Sequence, residues 1–159
     1  IGFKTITNNF GSFTKGQTRK IIDIENDNKK LKILPLICYE IIYSGNLSKD
    51  FNFDLIFNIS EDGWFGKSIG PKQHFVHSIY RALESGKYVV RSANNGISAI
   101  INPIGQVEKK IDYRKKGFID FDRRRVQYPT LFSFYGNKIF GLLILLYIFL
   151  IFSFNKFKK

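Results

Sequence analysis

The chain has 159 residues, and its 25 Lys and Arg against 13 Asp and Glu give a net charge of +12. The charge excludes an acidic tail, and a hydrophobic content of 44%, with 17 Phe and 8 Tyr, excludes intrinsic disorder over the whole chain. This apolar content is enough to bury the core of one domain.

The positive charge has three interpretations: a nucleic-acid partner, attraction to anionic lipid headgroups, and an ordinary basic surface. The Lys and Arg are scattered along the chain, and no nucleic-acid-binding motif accompanies them. We therefore expect no nucleic-acid partner, and the other two interpretations stay open.

Neither the start of the chain nor its cysteine content identifies the cellular compartment of the protein. Met is absent and the first residue is Ile1, which indicates a processed chain or a fragment. Residues 1–9 lack the charged start, apolar run and small cleavage residues of a signal peptide. The single cysteine, Cys38, excludes an internal disulfide and fits a reducing or an oxidising compartment.

The first predicted elements are the short strands of an α/β domain. Two extended segments, Lys20–Ile24 and Ile33–Ile37, are separated by a polar turn over Glu25–Lys30. Asp54–Ile59 is a continuous apolar run of strand length, which is typical of a strand covered on both faces.

A helix and four more strands follow. The helix is predicted to begin at Pro71, since Pro is well placed in a first turn, and to run to about Ser85, where Gly86 closes it. Its buried stripe is predicted from the helical period: Phe75, Ile79 and Leu83. The remaining strands are Tyr88–Arg91, Ile97–Ile101, Gln106–Lys110 and Phe118–Phe121, with a turn over 102–105.

The C-terminal segment has the pattern of a transmembrane helix. Ile139–Phe154 is a run of 16 residues without a charge. At about 1.5 Å per residue this run spans about 24 Å of a hydrocarbon core about 30 Å thick. Phe134 and Tyr135 extend it with aromatic residues, so we predict a span over Gly136–Asn155. A buried core helix is the alternative, but the run lacks the polar face that such a helix has.

Charges flank this segment on both sides. Lys156, Lys158 and Lys159 favour a cytoplasmic C-terminus. Lys138 and the arginines over 123–125 lie on the other side, so the charge rule is nearly balanced.

Cys38 directly follows the predicted strand Ile33–Ile37, so we expect it where a strand ends and a turn begins. That position lifts a side chain out of the sheet and leaves the next backbone N–H, that of Tyr39, free to stabilise an oxyanion. A thiol there is a good acyl-transfer nucleophile, because the thiolate forms a thioester that a second nucleophile opens. The alternative is a cysteine that packs in the core, since free Cys is among the most buried residue types.

Five blocks around this cysteine carry a family resemblance: Pro35–Ile41, Asn58–Gly66, Gly70–His74, Arg81–Glu84 and Arg91–Ala99. In order and spacing they resemble the apolipoprotein N-acyltransferases of the bacterial inner membrane. That family is a membrane-bound branch of the nitrilase-like carbon–nitrogen hydrolase superfamily. The resemblance runs from about Ile21 to the C-terminus.

The resemblance implies an α/β fold, the C-terminal part of a nitrilase-like αββα sandwich followed by one transmembrane helix. Residues 1–130 would form the catalytic domain on the periplasmic side, and residues 131–159 the membrane helix and basic tail, with a cytoplasmic C-terminus. The implied partners are a phospholipid acyl donor, a diacylglyceryl-apolipoprotein acceptor and the membrane. Neither a metal nor a cofactor is expected.

The resemblance also implies a mechanism. In the family a Glu–Lys–Cys triad transfers acyl groups by a ping-pong route, and Cys38 would be its nucleophile. The thiolate takes a fatty acyl chain from a phospholipid, and the α-amine of an N-terminal diacylglyceryl-cysteine then attacks the thioester. The Glu, a general base, and the Lys, which helps stabilise the oxyanion, lie upstream in the family, so this chain alone is expected to be inactive.

Residues near the nucleophile are assigned by the same resemblance. Tyr39 and Glu40 would stabilise the oxyanion or shape the active site, although Glu40 also fits a carboxylate at a helix start. Trp64 and Phe65, in a Gly-flanked loop, would line the acyl pocket or form a lid over it. Core packing is the alternative for these two aromatic residues.

Three further polar residues lie in the later blocks. Asn94 and Asn95 are expected in a tight turn that positions the substrate pocket, and direct contact with the substrate is the alternative. His74 is interpreted as a hydrogen-bonded structural residue near a helix start rather than as a general base.

Two acidic residues of the blocks are not assigned to catalysis. Glu61 stands where the family usually has Asn, and Gly63 stands where it has Ala, which changes the polarity of the loop. Glu84 is interpreted as a surface residue that pairs at helical spacing with Arg81 or Lys87.

Two other functions stay open. A nitrilase-type amidase would use the same thiol and let water open the thioester, although such an enzyme needs no membrane helix. An inactive membrane-anchored fragment is the second alternative, because two members of the triad are absent from the sequence.

Overall fold

The structure is a computed structural model that describes residues 19–26, 29–45, 47–48, 50–122 and 129–157. Within these ranges six strands form one sheet in sequential order. They are β1 (Ile22–Asn26), β2 (Lys29–Ile37), β3 (Leu55–Glu61), β4 (Tyr88–Asn94), β5 (Ser98–Ile101) and β6 (Val107–Ile111). Three helices accompany them in the same ranges: α1 (Gly70–Ser85), α2 (Leu131–Tyr135) and α3 (Lys138–Phe157).

The centre of the sheet is parallel and its flanks are antiparallel. Strands β2, β3 and β4 run parallel, while β1 pairs with β2, and β5 and β6 follow β4, in the antiparallel direction. Parallel neighbours need a crossover connection, and α1 supplies it between β3 and β4. The predicted mixed α/β fold is therefore confirmed.

Alternation along the strands gives the sheet two faces. The face toward α1 carries the main core, which includes Leu36, Ile56 and Val89. Leu55, Tyr88 and Ile100 lie on the opposite face in a smaller cluster. The functional side chains described below lie at the carboxyl ends of the parallel strands, where ligands bind in open α/β sheets.

Two strand predictions differ from the structure. The prediction of a strand over Phe118–Phe121 is wrong, because this segment is irregular. Its apolar residues Ile119 and Phe121 cover the smaller cluster instead of joining the sheet. In the first pair, β1 lies two residues later than predicted and β2 begins four residues earlier, so Glu25 pairs with Lys30 across the predicted turn.

Helix α1 begins near Pro71 and ends at Gly86, as predicted, and Gly86 adopts a left-handed φ of 67° and donates its N–H to Ala82 O. The predicted buried stripe is partly wrong, because Leu83 is 43% exposed. The fully buried side of α1 is partly polar and includes His74 and Arg81. These side chains are buried because they reach hydrogen-bond partners on the sheet and on the turn after β2.

The prediction of a transmembrane helix over Gly136–Asn155 is not supported. Helix α3 forms there, and side chains such as Leu145 and Phe149 are 65% and 67% exposed. In the ranges that the structure describes, however, no helix has the length and apolarity needed to cross a membrane. The uncharged run of about 24 Å is shorter than a hydrocarbon core of about 30 Å.

Candidate active site

Cys38 lies directly after β2, at the start of a 3₁₀ helix over Cys38–Ile42. Its φ is 47°, in the left-handed region that a residue with a Cβ rarely adopts. Such a conformation costs on the order of 1–3 kcal/mol and persists only where the surroundings hold it. Cys38 is half-buried and does not belong to the buried core clusters. A left-handed residue in a turn at a strand end has the geometry that nucleophile turns use.

Glu40 stabilises this turn through two hydrogen bonds. Its carboxylate accepts the backbone N–H of Ile37 at 2.7 Å and a hydrogen bond from the guanidinium of Arg19 at 2.9 Å. Burial would raise the pKa of Glu40, but the Ile37 N–H and the Arg19 charge outweigh burial and lower it. Glu40 is thus an ionised group that ties the end of β2 to the 3₁₀ helix.

A buried polar cluster lies beside the turn. Asn58, Ser60 and Asp62 alternate along β3 and the residue after it, so they point to one face of the sheet. Arg91 on β4 is paired in register with Asn58 and donates to its side-chain oxygen. The Arg91 guanidinium also contacts both Asp62 carboxylate oxygens, at 2.8 and 3.0 Å. All four residues are buried.

Charge pairing compensates for this burial. Burial would raise the pKa of Asp62, but the hydrogen bond from His74, the Arg91 charge and the Ser60 hydroxyl together lower it. Burial lowers the pKa of Arg91, and the Asp62 carboxylate opposes that effect. We therefore describe Asp62 and Arg91 as a buried ion pair.

His74 connects this cluster to Cys38. Its Nδ1 lies 2.8 Å from Asp62 Oδ1, and its Nε2 lies 3.3 Å from the backbone oxygen of Cys38. The side-chain amide of Asn58 lies 3.4 Å from the same oxygen. Ser60 donates to Asp62 Oδ1 at 2.9 Å, and its oxygen lies 3.8 Å from the Cys38 sulfur. His74 is hydrogen-bonded, as the sequence indicates, and its bonds reach the Cys38 turn.

Two aromatic rings contact the His74 ring. Tyr39 stacks on the His74 ring with centroids 5.1 Å apart, and Phe65 meets it edge-on at 5.7 Å. Tyr39, Phe65, Gly70 and His74 border a cavity of about 140 Å³. The cavity opens beside Tyr39, the residue directly after Cys38.

The loop after β3 is tied to the end of β4 through Glu61. Glu61 accepts the backbone N–H of Gly63 at 2.6 Å and the side-chain amide of Asn94. Trp64 projects from this loop and is 69% exposed. Asn95 has a φ of 55°, so the left-handed turn expected there is present.

Gly96 allows the buried carboxylate to occupy its position. A Cβ placed on Gly96 would lie 2.2 Å from Asp62 Oδ2 and 2.7 Å from Asp62 Cγ. No side chain fits at such distances, and Asp62 is too short and too enclosed to move away. Gly96 is therefore required for the position of Asp62.

Hydrogen bonds from the buried Arg81 hold the C-terminal end of the 3₁₀ helix. Arg81 donates to the backbone oxygen of Ile42 at 3.1 Å and to Glu84 at 2.6 Å. Glu84 also accepts a hydrogen bond from Ser44 at 2.8 Å. The predicted pairing of Glu84 with Arg81 is present, but Arg81 is buried, so the surface interpretation is wrong.

The sequence interpretation assigned no role to three members of the site: Asn58, Ser60 and Asp62. A signal was available, because they occur at alternate positions at the end of a segment predicted to be covered on both faces and directly after it. Buried polar side chains need partners, so that pattern indicates a polar cluster. Among the described residues, no three His, Cys, Asp or Glu side chains are grouped so that they could hold a metal ion.

Comparison with known proteins gives consistent matches. A family model described as carbon-nitrogen hydrolase matches residues 8–128. The chain is 44% identical over 148 residues to an apolipoprotein N-acyltransferase of Rickettsia bellii, covering 92% of this chain and 29% of that protein. It is 35% identical to the enzyme of the same name from Rhizobium rhizogenes, covering 76% of this chain and 22% of that protein. The chain thus spans less than a third of the length of these relatives.

Solved structures with a similar arrangement have low sequence identity. A CN-hydrolase superfamily protein from Xanthomonas campestris has a TM-score of 0.48 and 19% identity, covering 62% of this chain and 42% of that chain. An amidase from Nesterenkonia sp. AN1 has a TM-score of 0.45 and 16% identity, covering 64% of this chain and 41% of that chain.

Proposed function

The chain belongs to the carbon-nitrogen hydrolase family, and from that membership we propose that it is the nucleophile-bearing part of an apolipoprotein N-acyltransferase. The names of the relatives support this function. The observation that carries the proposal is the placement of Cys38. Cys38 is half-buried on a strained turn at a strand end, and His74 and Asn58 lie within hydrogen-bond distance of its backbone oxygen.

The proposed reaction has two steps. In the first, the Cys38 thiol loses its proton to a base and its sulfur attacks the ester carbonyl of a phospholipid. The carbon–oxygen bond breaks, the leaving oxygen takes a proton, and a thioester remains. In the second, the α-amine of a diacylglyceryl-cysteine attacks the thioester, the carbon–sulfur bond breaks, and an amide forms as the amine loses a proton. We assign the general base and the oxyanion lysine to no residue of this chain.

Tyr39 is proposed to serve the reaction through its backbone. Its N–H follows the nucleophile directly, which is the position from which a backbone donor stabilises a developing oxyanion. Glu40 would preserve that geometry, because its carboxylate ties the turn to Ile37. This role in shaping the site accounts for Glu40 without making it a proton carrier.

The acyl chain is proposed to enter beside the aromatic rings. Phe65 and Tyr39, the residue that follows Cys38 in the chain, border the cavity of about 140 Å³. Trp64 lies on the same loop and is 69% exposed, so it is available to cover an apolar substrate. Asn94 and Asn95 would set the position of this loop, since Asn94 bonds to Glu61.

The protein is proposed to act at the bacterial inner membrane. Residues 1–130 would form the catalytic domain, facing the periplasm, and residues 131–159 would hold it at the membrane. The exposed apolar side chains of α3, Leu145 and Phe149 among them, would be covered by acyl chains there. The phospholipid donor and the lipoprotein acceptor would both meet the site from that surface.

The test is acyl transfer by the full-length protein in membranes. With a phospholipid that carries a labelled acyl chain, we expect label on Cys38 that neutral hydroxylamine removes, and its transfer to a diacylglyceryl-cysteine peptide. Cys38→Ala should abolish both signals while the protein stays in the membrane. Release of free fatty acid alone, with the peptide present and not acylated, would favour a hydrolase over the proposed transferase.

A further inference from the structure

We infer that His74 is a positioning residue that holds the strained backbone of Cys38, and that the buried Arg91–Asp62 pair fixes its ring for this role. The inference rests on the proposed function, since positioning affects catalysis only if Cys38 is the nucleophile. His74 does not need to contact the substrate to act in this way.

The first support is the strain itself. With a φ of 47°, Cys38 needs contacts that outweigh the cost of the left-handed conformation. Its backbone oxygen lies within reach of two buried donors, His74 Nε2 at 3.3 Å and Asn58 Nδ2 at 3.4 Å. These donors fix the peptide group that follows the thiol, and the next N–H, the proposed oxyanion donor of Tyr39, belongs to that same peptide group.

The second support is the orientation of the ring. Asp62 and the Cys38 carbonyl are both acceptors, and they face opposite nitrogens of His74. Arg91 reaches both Asp62 and His74, since its Nη2 atom lies 2.8 Å from Asp62 Oδ2 and 3.3 Å from His74 Nδ1.

The third support is that the ring has little freedom to turn. Tyr39 stacks on the ring with centroids 5.1 Å apart, Phe65 meets it edge-on at 5.7 Å, and these two rings contact each other at 6.0 Å. The side chain is buried, and Asp62 behind it is held by Arg91 and by Ser60. A ring held by two aromatic side chains and at both nitrogens transmits the position of β3 and β4 to the turn at Cys38.

The experiment compares two substitutions at His74 in the full-length protein in membranes. His74→Phe keeps an aromatic ring in contact with Tyr39 and Phe65 but donates no hydrogen bond. His74→Gln keeps an amide donor for the Cys38 carbonyl. The readouts are kcat and the KM for phospholipid in the acylation of Cys38, together with the amount of folded protein in the membrane.

We expect His74→Phe to lower kcat by about 100-fold, the loss that a small misplacement of a reacting group produces, with KM changed less than about twofold. His74→Gln should restore kcat to within about tenfold of the wild type. The matched control is Ser78→Ala, one turn later on α1, which removes a buried hydroxyl that has no hydrogen-bond partner in the described ranges. Ser78→Ala should have the kcat and KM of the wild type.

Two results for the His74 variants would contradict the inference. A kcat for His74→Phe within about twofold of the wild type would show that the turn needs no such support. Equal losses in the Phe and Gln variants, together with loss of folded protein, would show a structural role only. The proposed function is tested separately: if Cys38→Ala still acylates, that function fails, and if the wild type does not acylate, both ideas fail.

Discussion

The Nε2 atom of His74 lies 3.3 Å from the backbone oxygen of Cys38, although 36 positions separate the two residues in the chain. Helix α1 carries the histidine, and the turn after β2 carries the cysteine. The contact therefore joins two elements that the parallel sheet brings together. It explains how a cysteine keeps a left-handed backbone, and the predictions below test its consequences.

Breaking the buried ion pair should destabilise the domain. Arg91→Met leaves Asp62 as a buried carboxylate without its cation, and removing one partner of a buried pair costs about 3–5 kcal/mol. The free energy of unfolding, from urea titration followed by tyrosine and tryptophan fluorescence, is the measurement. Lys110→Met removes one member of an exposed pair with Asp112 and should cost less than about 1 kcal/mol. Equal costs for the two variants would contradict the ion-pair account.

Acid should destabilise the domain through Asp62. The pKa of Asp62 is lowered in the folded protein, so its pairing stabilises the fold above the unfolded pKa and is lost as the pH falls through the folded value. The loss should begin below about pH 4, near the ordinary pKa of an aspartate. Unfolding free energies from pH 7 to pH 2 should fall less steeply below pH 4 in Asp62→Asn. If the unfolding free energy of Asp62→Asn fell as steeply below pH 4 as that of the wild type, the lowered pKa of Asp62 would be contradicted.

A methyl group at position 96 should displace the buried carboxylate. Gly96→Ala places a Cβ 2.2 Å from Asp62 Oδ2, and overpacking of this kind costs about 1–3 kcal/mol or more. We expect lower thermal stability and, through His74, a lower rate of Cys38 acylation. Gly141→Ala is the control, because no atom lies within 4 Å of its added Cβ. If Cys38 in Gly96→Ala were acylated at the wild-type rate, the position of Asp62 would not affect the reaction.

A charge on α3 should weaken association with the membrane. Leu145 is 65% exposed, and Leu145→Asp would put a carboxylate among acyl chains, where charged groups are costly. Flotation with vesicles of bacterial phospholipid should recover less of this variant than of Leu145→Ala, which keeps the helix and adds no charge. Equal recovery of both variants would show that this face of α3 does not contact lipid.

Local sequence patterns predicted the elements that frame the site. An apolar segment ending at Ile37 placed Cys38 at a strand end, and Pro71 and Gly86 marked the ends of α1. These features depend on neighbouring residues only, such as a fixed proline φ and the left-handed freedom of glycine. The α/β fold followed from the same local patterns.

The partners within the site could not be predicted in this way. The pairing of Asn58 with Arg91 depends on the register of β3 and β4, which no local pattern contains. Arg81 was assigned to the surface because its spacing to Glu84 suits a solvated pair, whereas its additional bond to Ile42 explains its burial. Phe118–Phe121 has a strand composition, but it packs across the sheet and not along its edge.

The most direct test of the account asks whether Cys38 carries an acyl group. Full-length protein in membranes is incubated with a phospholipid labelled in its acyl chain, and the peptide that contains Cys38 is examined by mass spectrometry. We predict one acyl chain on the sulfur, which neutral hydroxylamine removes and which is absent from Cys38→Ala. An unmodified thiol in the wild type, or equal labelling in Cys38→Ala, would contradict the central claim.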